Sequence, residues 1–280
     1  MNRCGTKSLL VVSLAFVLAA STAAQTYWMH PGRDKNVTLQ MFKPKFDHEN
    51  NLGTLTSVWF LSGRFEASDR VDIFVDLPVS NLDWDEDLYS SHEDQSLIGN
   101  PYVGIEARAS ARHTPLSVIG RFGIRPPLAS DDKWGAVELG YIICFDRLEA
   151  FFPDYWSLTF GLGSSRALEG ESGIRHSANV DGVVIVPTEE HWDTELFLNY
   201  NFEMWFQAPK FKFGAGFAGR WQATAEDVDF GEASVHQLGF TGVLDLGSFD
   251  PGFHVRVPID DTLSDIVDYV YGLSFSIDLP

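Results

Sequence analysis

The chain has 280 residues, 45% of them hydrophobic, with 20 Lys+Arg against 39 Asp+Glu and a formal net charge of -19. This acidic balance argues against nucleic acid as a partner, because phosphate recognition is built on clustered Lys and Arg. Beyond residue 25 no run of about 18 or more apolar residues occurs, which excludes a helical membrane protein by length.

The N-terminus reads as an export signal. Arg3 and Lys7 precede an apolar run over 9–20, and Ser21, Thr22, Ala23 and Ala24 follow it. The run is too short to span a bilayer, and the small residues predict cleavage after Ala24, so 1–24 is a signal peptide. Cys4 lies before the apolar core and cannot become a lipidated N-terminus. Cleavage leaves Cys144 alone, so no disulfide forms within one mature chain. A closed barrel in lipid is one way for an exported chain to be stable without one.

From here hydrophobicity is distributed by alternation. After a segment at 25–36, a candidate plug, period-two runs fall at 37–43, 55–67, 71–77, 102–109, 116–125, 134–143, 156–162, 192–206, 211–222, 238–246, 253–257 and 269–279. In 192–206 the even positions include Trp192, Leu196, Leu198, Tyr200, Phe202, Met204 and Phe206. Asp193, Glu195, Asn199, Asn201 and Glu203 occupy odd ones. A run this long exceeds an ordinary soluble strand, suits a tilted membrane strand, and places Leu198 near mid-strand. The chain closes on Tyr269, Tyr271, Leu273, Phe275, Ile277 and Leu279 along one face, like the closing strand of outer-membrane barrels.

The links alternate in length. Those at 67–70, 111–114, 207–210 and 248–252 are brief and rich in turn residues, whereas 78–100, 163–191 and 223–234 are long. Short periplasmic turns and long outer loops, with both termini inside and an even strand number, give an all-β, antiparallel up-and-down transmembrane β-barrel of about 12 strands over 37–280. The segment 145–155 is long for a periplasmic turn, and Pro153 disfavours a strand through it.

A soluble antiparallel sandwich also alternates. The direction of the charges opposes it. Glu106, Arg108, Arg121, Arg125, Glu195, Glu203, Lys212, Arg220, His254 and Arg256 fall on the polar or Gly-rich faces, and these are the candidate lumen-lining residues. The opposite faces are nearly free of charge, as lipid contact requires.

Gly173 to Asn179 invites comparison with the His-x-Ser-Asn motifs of barrel lipid hydrolases. A serine nucleophile needs its base within hydrogen-bond reach, and adjacent residues on a strand point oppositely, so His176 and Ser177 do not form one. No catalytic residue is assigned. The acidic run Asp83, Asp85, Glu86, Asp87, Glu93 and Asp94 lacks Ca2+-loop spacing and reads as a solvated anionic loop that attracts divalent cations weakly. Cys144 reads as a small apolar residue at a strand end, and His191 and His236 lack ligand spacing, so no metal and no cofactor is expected.

Three stretches carry a resemblance: Arg70-Val71-Asp72-Ile73-Phe74-Val75-Asp76-Leu77-Pro78, then Ile98-Gly99-Asn100-Pro101-Tyr102-Val103-Gly104, then Pro251 through Val257-Pro258-Ile259-Asp260-Asp261. With them the chain resembles a family of outer-membrane barrel transporters grouped with phenol meta-pathway degradation proteins. The resemblance implies a barrel passing small aromatic or apolar solutes. The expected function is a passive channel or facilitator in a bacterial outer membrane, and the alternatives are a closed structural or adhesive barrel acting through its loops and a lipid hydrolase. Expected partners are outer-membrane lipid, a small solute and the barrel-assembly machinery during biogenesis.

Overall fold

A computed structural model describes residues 35–46, 53, 55–83, 94–109, 116–167, 173–189 and 193–279. The expected signal peptide 1–24, nearly all of the candidate plug at 25–36, and Asp85, Glu86, Asp87, Glu93 and His191 lie outside them. No helix among the described residues is long and apolar enough to cross a membrane.

The strands are β1 (Asn36–Phe46), β2 (Ser57–Ser68), β3 (Val71–Leu82), β4 (Gln95–Ile98), β5 (Tyr102–Arg108), β6 (Leu116–Arg125), β7 (Tyr155–Ala167), β8 (Gly173–Pro187), β9 (Glu195–Ala208), β10 (Phe211–Gln222), β11 (Ser234–Leu244), β12 (Phe249–Pro258) and β13 (Val267–Asp278). All pair antiparallel with their neighbours. The β1–β13 and β2–β3 pairings close the sheet into a ring of twelve, with β4 attached to the far end of β3. β4 and β5 behave as one interrupted strand: both pair with β3, and the chain breaks between them at Gly99-Asn100-Pro101.

Alternation dictates the two faces. Leu61, Val75, Val103, Phe122, Phe202, Phe240, Phe253 and Phe275 are exposed on the outer wall, while Ser62, Asp76, Glu106, Arg121, Glu203, Thr241, His254 and Ser274 are buried within. This inversion of a soluble protein is the pattern a barrel in lipid needs. The start of β1 and the end of β13 share one end with the links that follow β2, β5, β7, β9 and β11. The opposite end, called here the loop end, carries the longest connection, 126–154.

Two expectations fail together and their errors cancel in the strand number. The run 134–143 is a helix, α1 (Trp134–Ile143), flanked by 3-10 turns at Asp131–Lys133 and Phe145–Ala150. The span 163–191, read as one long outer loop, contains the end of β7 and all of β8. With α1 removed from the wall, 145–155 is no periplasmic turn. It belongs to the loop end, and the link between β7 and β8 takes its place.

Other boundaries move less. The strand read over 192–206 starts at Glu195, and 238–246 is β11 starting at Ser234. The loop 78–100 shrinks to 83–94, because both its ends are strand. A short helix, α2 (Asp261–Ser264), joins β12 to β13.

The connection 126–154 folds into the barrel. The α1 residues Ala136, Val137, Leu139 and Ile143, with Cys144, Ala150 and Phe151, pack against Phe42 of β1, Val58 and Phe60 of β2, Leu82 of β3, Leu97 of β4 and Val270 of β13. A ten-residue helix apolar on most sides has to be buried, and here the inward wall of β1–β4 and β13 buries it. Gly140 allows the approach: a Cβ there would lie 2.4 Å from the Phe151 ring.

Candidate functional site

The inward charges form two tiers. In the first, Asp72 of β3 accepts hydrogen bonds from Arg64 of β2 (2.6 Å) and Arg108 of β5 (2.9 Å). Glu106 accepts from Arg64 (2.7 Å), Arg108 (2.9 Å) and Arg121 (3.5 Å). Arg121 also lies 3.5 Å from Asp181 of β8 and donates to Asn179, whose amide donates to Asn201 of β9 at 2.8 Å. Charges this far from water persist because each meets an opposite partner and further hydrogen bonds.

Elsewhere on the wall, Glu203 accepts from the Trp205 indole at 2.9 Å, and Lys212 lies 3.3 Å from Asp245 and 3.5 Å from Asp250. His254 bonds Thr241 and Ser274, and Glu195 accepts from Gln222 and Thr224. Tyr102 faces inward over paired glycines of β5 and β6: a Cβ on Gly104 or Gly123 would come within 2.6 Å or 2.0 Å of its hydroxyl. That ring underlies the Arg125 guanidinium, 5.1 Å from its centroid.

The second tier is where the connection crosses the lumen. Glu149 accepts from Arg220 of β10 at 2.8 Å, with the two side chains 1% and 3% exposed. Asp146 accepts from Arg256 of β12 at 3.2 Å, and its carbonyl accepts from Asn199 of β9 at 3.1 Å. Arg147 turns the other way, donating to Gln40 of β1 at 3.4 Å and lying 3.9 Å from Asp76 of β3. It also stacks on Phe60, 3.5 Å from the ring centroid.

Asn100, at the break between β4 and β5, holds the connection at both its ends. Its amide nitrogen donates to the carbonyls of Glu149 (3.1 Å) and Phe152 (2.6 Å), and its amide oxygen accepts from the backbone of Leu128 (2.6 Å) and Ala129 (2.8 Å). Its own carbonyl accepts from Arg125 at 2.7 Å, and Arg125 lies 3.0 Å from Asp76. Cys144 is fully buried in the connection, at no strand end, and burial pushes its thiol up to about 12.

The structure thus brings Glu106, Arg108 and Arg121 into one network and draws Arg220 and Arg256 onto the inward connection. Arg125 reaches Asn100 and Asp76, while Glu195, Glu203, Lys212 and His254 have separate partners. Sequence reasoning missed Arg64, Asp72, Asp76 and Asp181, although the same period-two reading of 71–77 puts Asp72 and Asp76 on one face. Asp146, Arg147 and Glu149 left no such signal. His176 and Ser177 occupy successive positions on β8, so their side chains point to opposite faces. Asp83 is not a free solvated acid: its carboxylate accepts from the Leu55 backbone at 2.9 Å and its carbonyl from Thr56. His236 bonds Tyr200 and Asp260, and among the described residues no group of three His, Cys, Asp or Glu could hold a metal.

No protein-family model matches the sequence, and comparison with curated proteins returns no match. The fold is that of outer-membrane barrels. An outer membrane channel from Pseudomonas putida F1 superposes with a TM-score of 0.60 at 10% identity, over 92% of this chain and all of that one. The NanC porin (TM-score 0.52, 6% identity) matches over 88% of this chain and 100% of its own. The KdgM porin (0.51, 6%) matches over 88% of this chain and 99% of its own.

Proposed function

We propose that this protein is a channel for small solutes in a bacterial outer membrane, exported by the segment 1–24 and oriented with its loop end outward. The observation that carries the reading is the polar, charged inner wall of a closed ring whose outer wall is apolar. The likeness to outer-membrane channels and porins supports the same reading. Outer-membrane lipid and the assembly machinery are the partners such a barrel requires, and the aromatic or apolar solutes implied by the family resemblance belong to this proposal.

The reading is tested with the purified full chain in planar bilayers and in liposomes. Stepwise conductance and swelling by small solutes are expected. Currents and swelling indistinguishable from empty membranes over all voltages and solutes would sink it.

One observation favours a second reading. The connection 126–154 reaches wall residues on opposite sides of the ring, which suits a closed barrel working through its outer loops. The same experiment separates the two, since a permanently closed barrel conducts in neither assay.

A further inference from the structure

The solute can be narrowed by what the barrel holds in its own lumen. Two carboxylates of the connection, Glu149 and Asp146, sit on two wall cations, Arg220 and Arg256. Arg220 is on β10 and Arg256 on β12; between them on β11 stands Gln237, 2% exposed. Register places Gln237 opposite Ala218 on one side and Pro258 on the other, each two residues from the respective arginine. The three side chains therefore form an arc of donors on one stretch of wall.

Each guanidinium of the arc lies over an aromatic ring, Arg220 over Phe197 at 4.2 Å and Arg256 over Phe42 at 4.2 Å. Stacking occupies the face of a guanidinium and leaves its N–H edge to point at an anion, a preorganised fork for a carboxylate. The connection uses only part of that fork. Glu149 and the Phe145 carbonyl both engage Nη1 of Arg220, while its buried Nε and Nη2 meet no partner among the described residues. Gln237 Nε2 is likewise buried and without one. Buried unmet donors are costly, and their gathering on one wall points to a group that completes them.

The opposite wall differs in how its charge is neutralised. Asp76 is held by Arg125 as well as by Arg147, so withdrawal of the connection leaves it neutralised. The same withdrawal strips Arg220 and Arg256 of Glu149 and Asp146. The wall then presents a cationic patch flanked by aromatic rings.

We propose that the arc Arg220–Gln237–Arg256 is a binding subsite for the carboxylate of a small organic acid, with Phe197 and Phe42 beside its hydrocarbon body. Glu149 and Asp146 are internal competitors that occupy the subsite when the connection is folded in. This rests on the channel reading and names its solute class.

Titration calorimetry of sodium benzoate into the purified full chain tests the subsite apart from transport. E149Q, which removes the internal charge but keeps a hydrogen-bonding side chain, should bind benzoate more tightly than wild type. R220Q and R256Q should each bind it about tenfold more weakly, the loss of one charge-assisted hydrogen bond. Benzyl alcohol and inorganic phosphate serve as the neutral and the non-carboxylate probes, and both should bind much less well than benzoate. Weakening in E149Q as well as in R220Q would mean that both merely loosen the barrel and would overturn the proposal. So would phosphate or benzyl alcohol binding as well as benzoate, or benzoate heats equal in wild type and R220Q. Bilayer currents run in parallel: no conductance with intact carboxylate binding defeats the channel reading alone, and conductance with no benzoate binding defeats this inference alone.

Discussion

Asp76 and Arg220 project inward from β3 and β10, on opposite sides of the ring of twelve, and one turn of chain bridges them. Arg147 lies 3.9 Å from Asp76 and Glu149 lies 2.8 Å from Arg220, only two residues apart in sequence. A segment anchored across the diameter cannot slide along one wall. It either stays or leaves as a unit.

The bridge is weakest on the Asp76 side, since Asp76 keeps Arg125 at 3.0 Å whatever Arg147 does. Replacing Arg147 with Met retains bulk over Phe60 and strands no charge. The barrel should therefore keep its melting temperature within a few degrees while conductance rises. An unchanged conductance in Arg147→Met would show that the Arg147 contacts do not hold the pore closed.

Asn100 is the stronger hold. Its side chain satisfies two carbonyls and two backbone N–H groups, and Asn100→Ala leaves all four without that partner. Each buried unmet group costs about 1–3 kcal/mol. Water admitted with the loosened connection offsets part of this, so the expected outcome is a net loss of about 2–4 kcal/mol confined to the connection. Limited proteolysis within 126–154, with the barrel wall intact, would report it. A wall that melts together with the connection would contradict the assignment.

Why the wall was legible in the sequence and its contents were not follows from the two solvents. A strand between lipid and lumen must alternate, so 192–206, 211–222 and 269–279 declare themselves. β8 hides its alternation behind the apolar run Val183 to Val186, part of it buried, with Val183 fully buried and Ile185 2% exposed. α1 mimics alternation because a helix apolar on most sides offers apolar residues at every period. The candidate site suffered in proportion. Residues such as Glu106, Arg121, Arg220 and Arg256 are visible as charges on polar faces, but their partners Asp146 and Glu149 come from a segment whose path only tertiary packing decides.

Cys144 gives a direct reading of that path. The thiol is fully buried, and burial raises it from the ordinary thiol range to about 12, so at pH 8 almost no thiolate is present and maleimide has no access. Labelling of the folded barrel should be slow, and faster in Asn100→Ala and Arg147→Met. The pH sign follows from linkage. The buried site favours the neutral thiol, so its contribution is fully present below the ordinary thiol value near 9 and is lost as pH rises from there toward 12. Labelling should accordingly accelerate above pH 9 by more than the growth of thiolate in a free thiol. A rate that tracks a free thiol throughout would mean that Cys144 is not enclosed.

The lipid face makes the last prediction, and the strand boundary alters it. Because β9 runs from Glu195 to Ala208, Leu198 stands near the loop end, and the mid-strand outward residue is Phe202, 50% exposed on the bare barrel. A cation at the bilayer midplane costs about 2–4 kcal/mol and falls to about 0–1 near the interface. Phe202→Arg should thus destabilise more than Leu198→Arg, which can extend its guanidinium to the headgroups. Asn199→Arg is not the mild control that its polar face suggests. Asn199 pairs in register with Arg220 and donates to the Asp146 carbonyl, so a second guanidinium there meets a like charge inside the barrel. Asn201 is no substitute control, because it accepts from Asn179 at 2.8 Å. The clean comparison is between the two outward sites, by urea unfolding from vesicles of defined lipid. Equal losses for Phe202→Arg and Leu198→Arg, or the larger loss at Leu198, would be incompatible with this depth assignment.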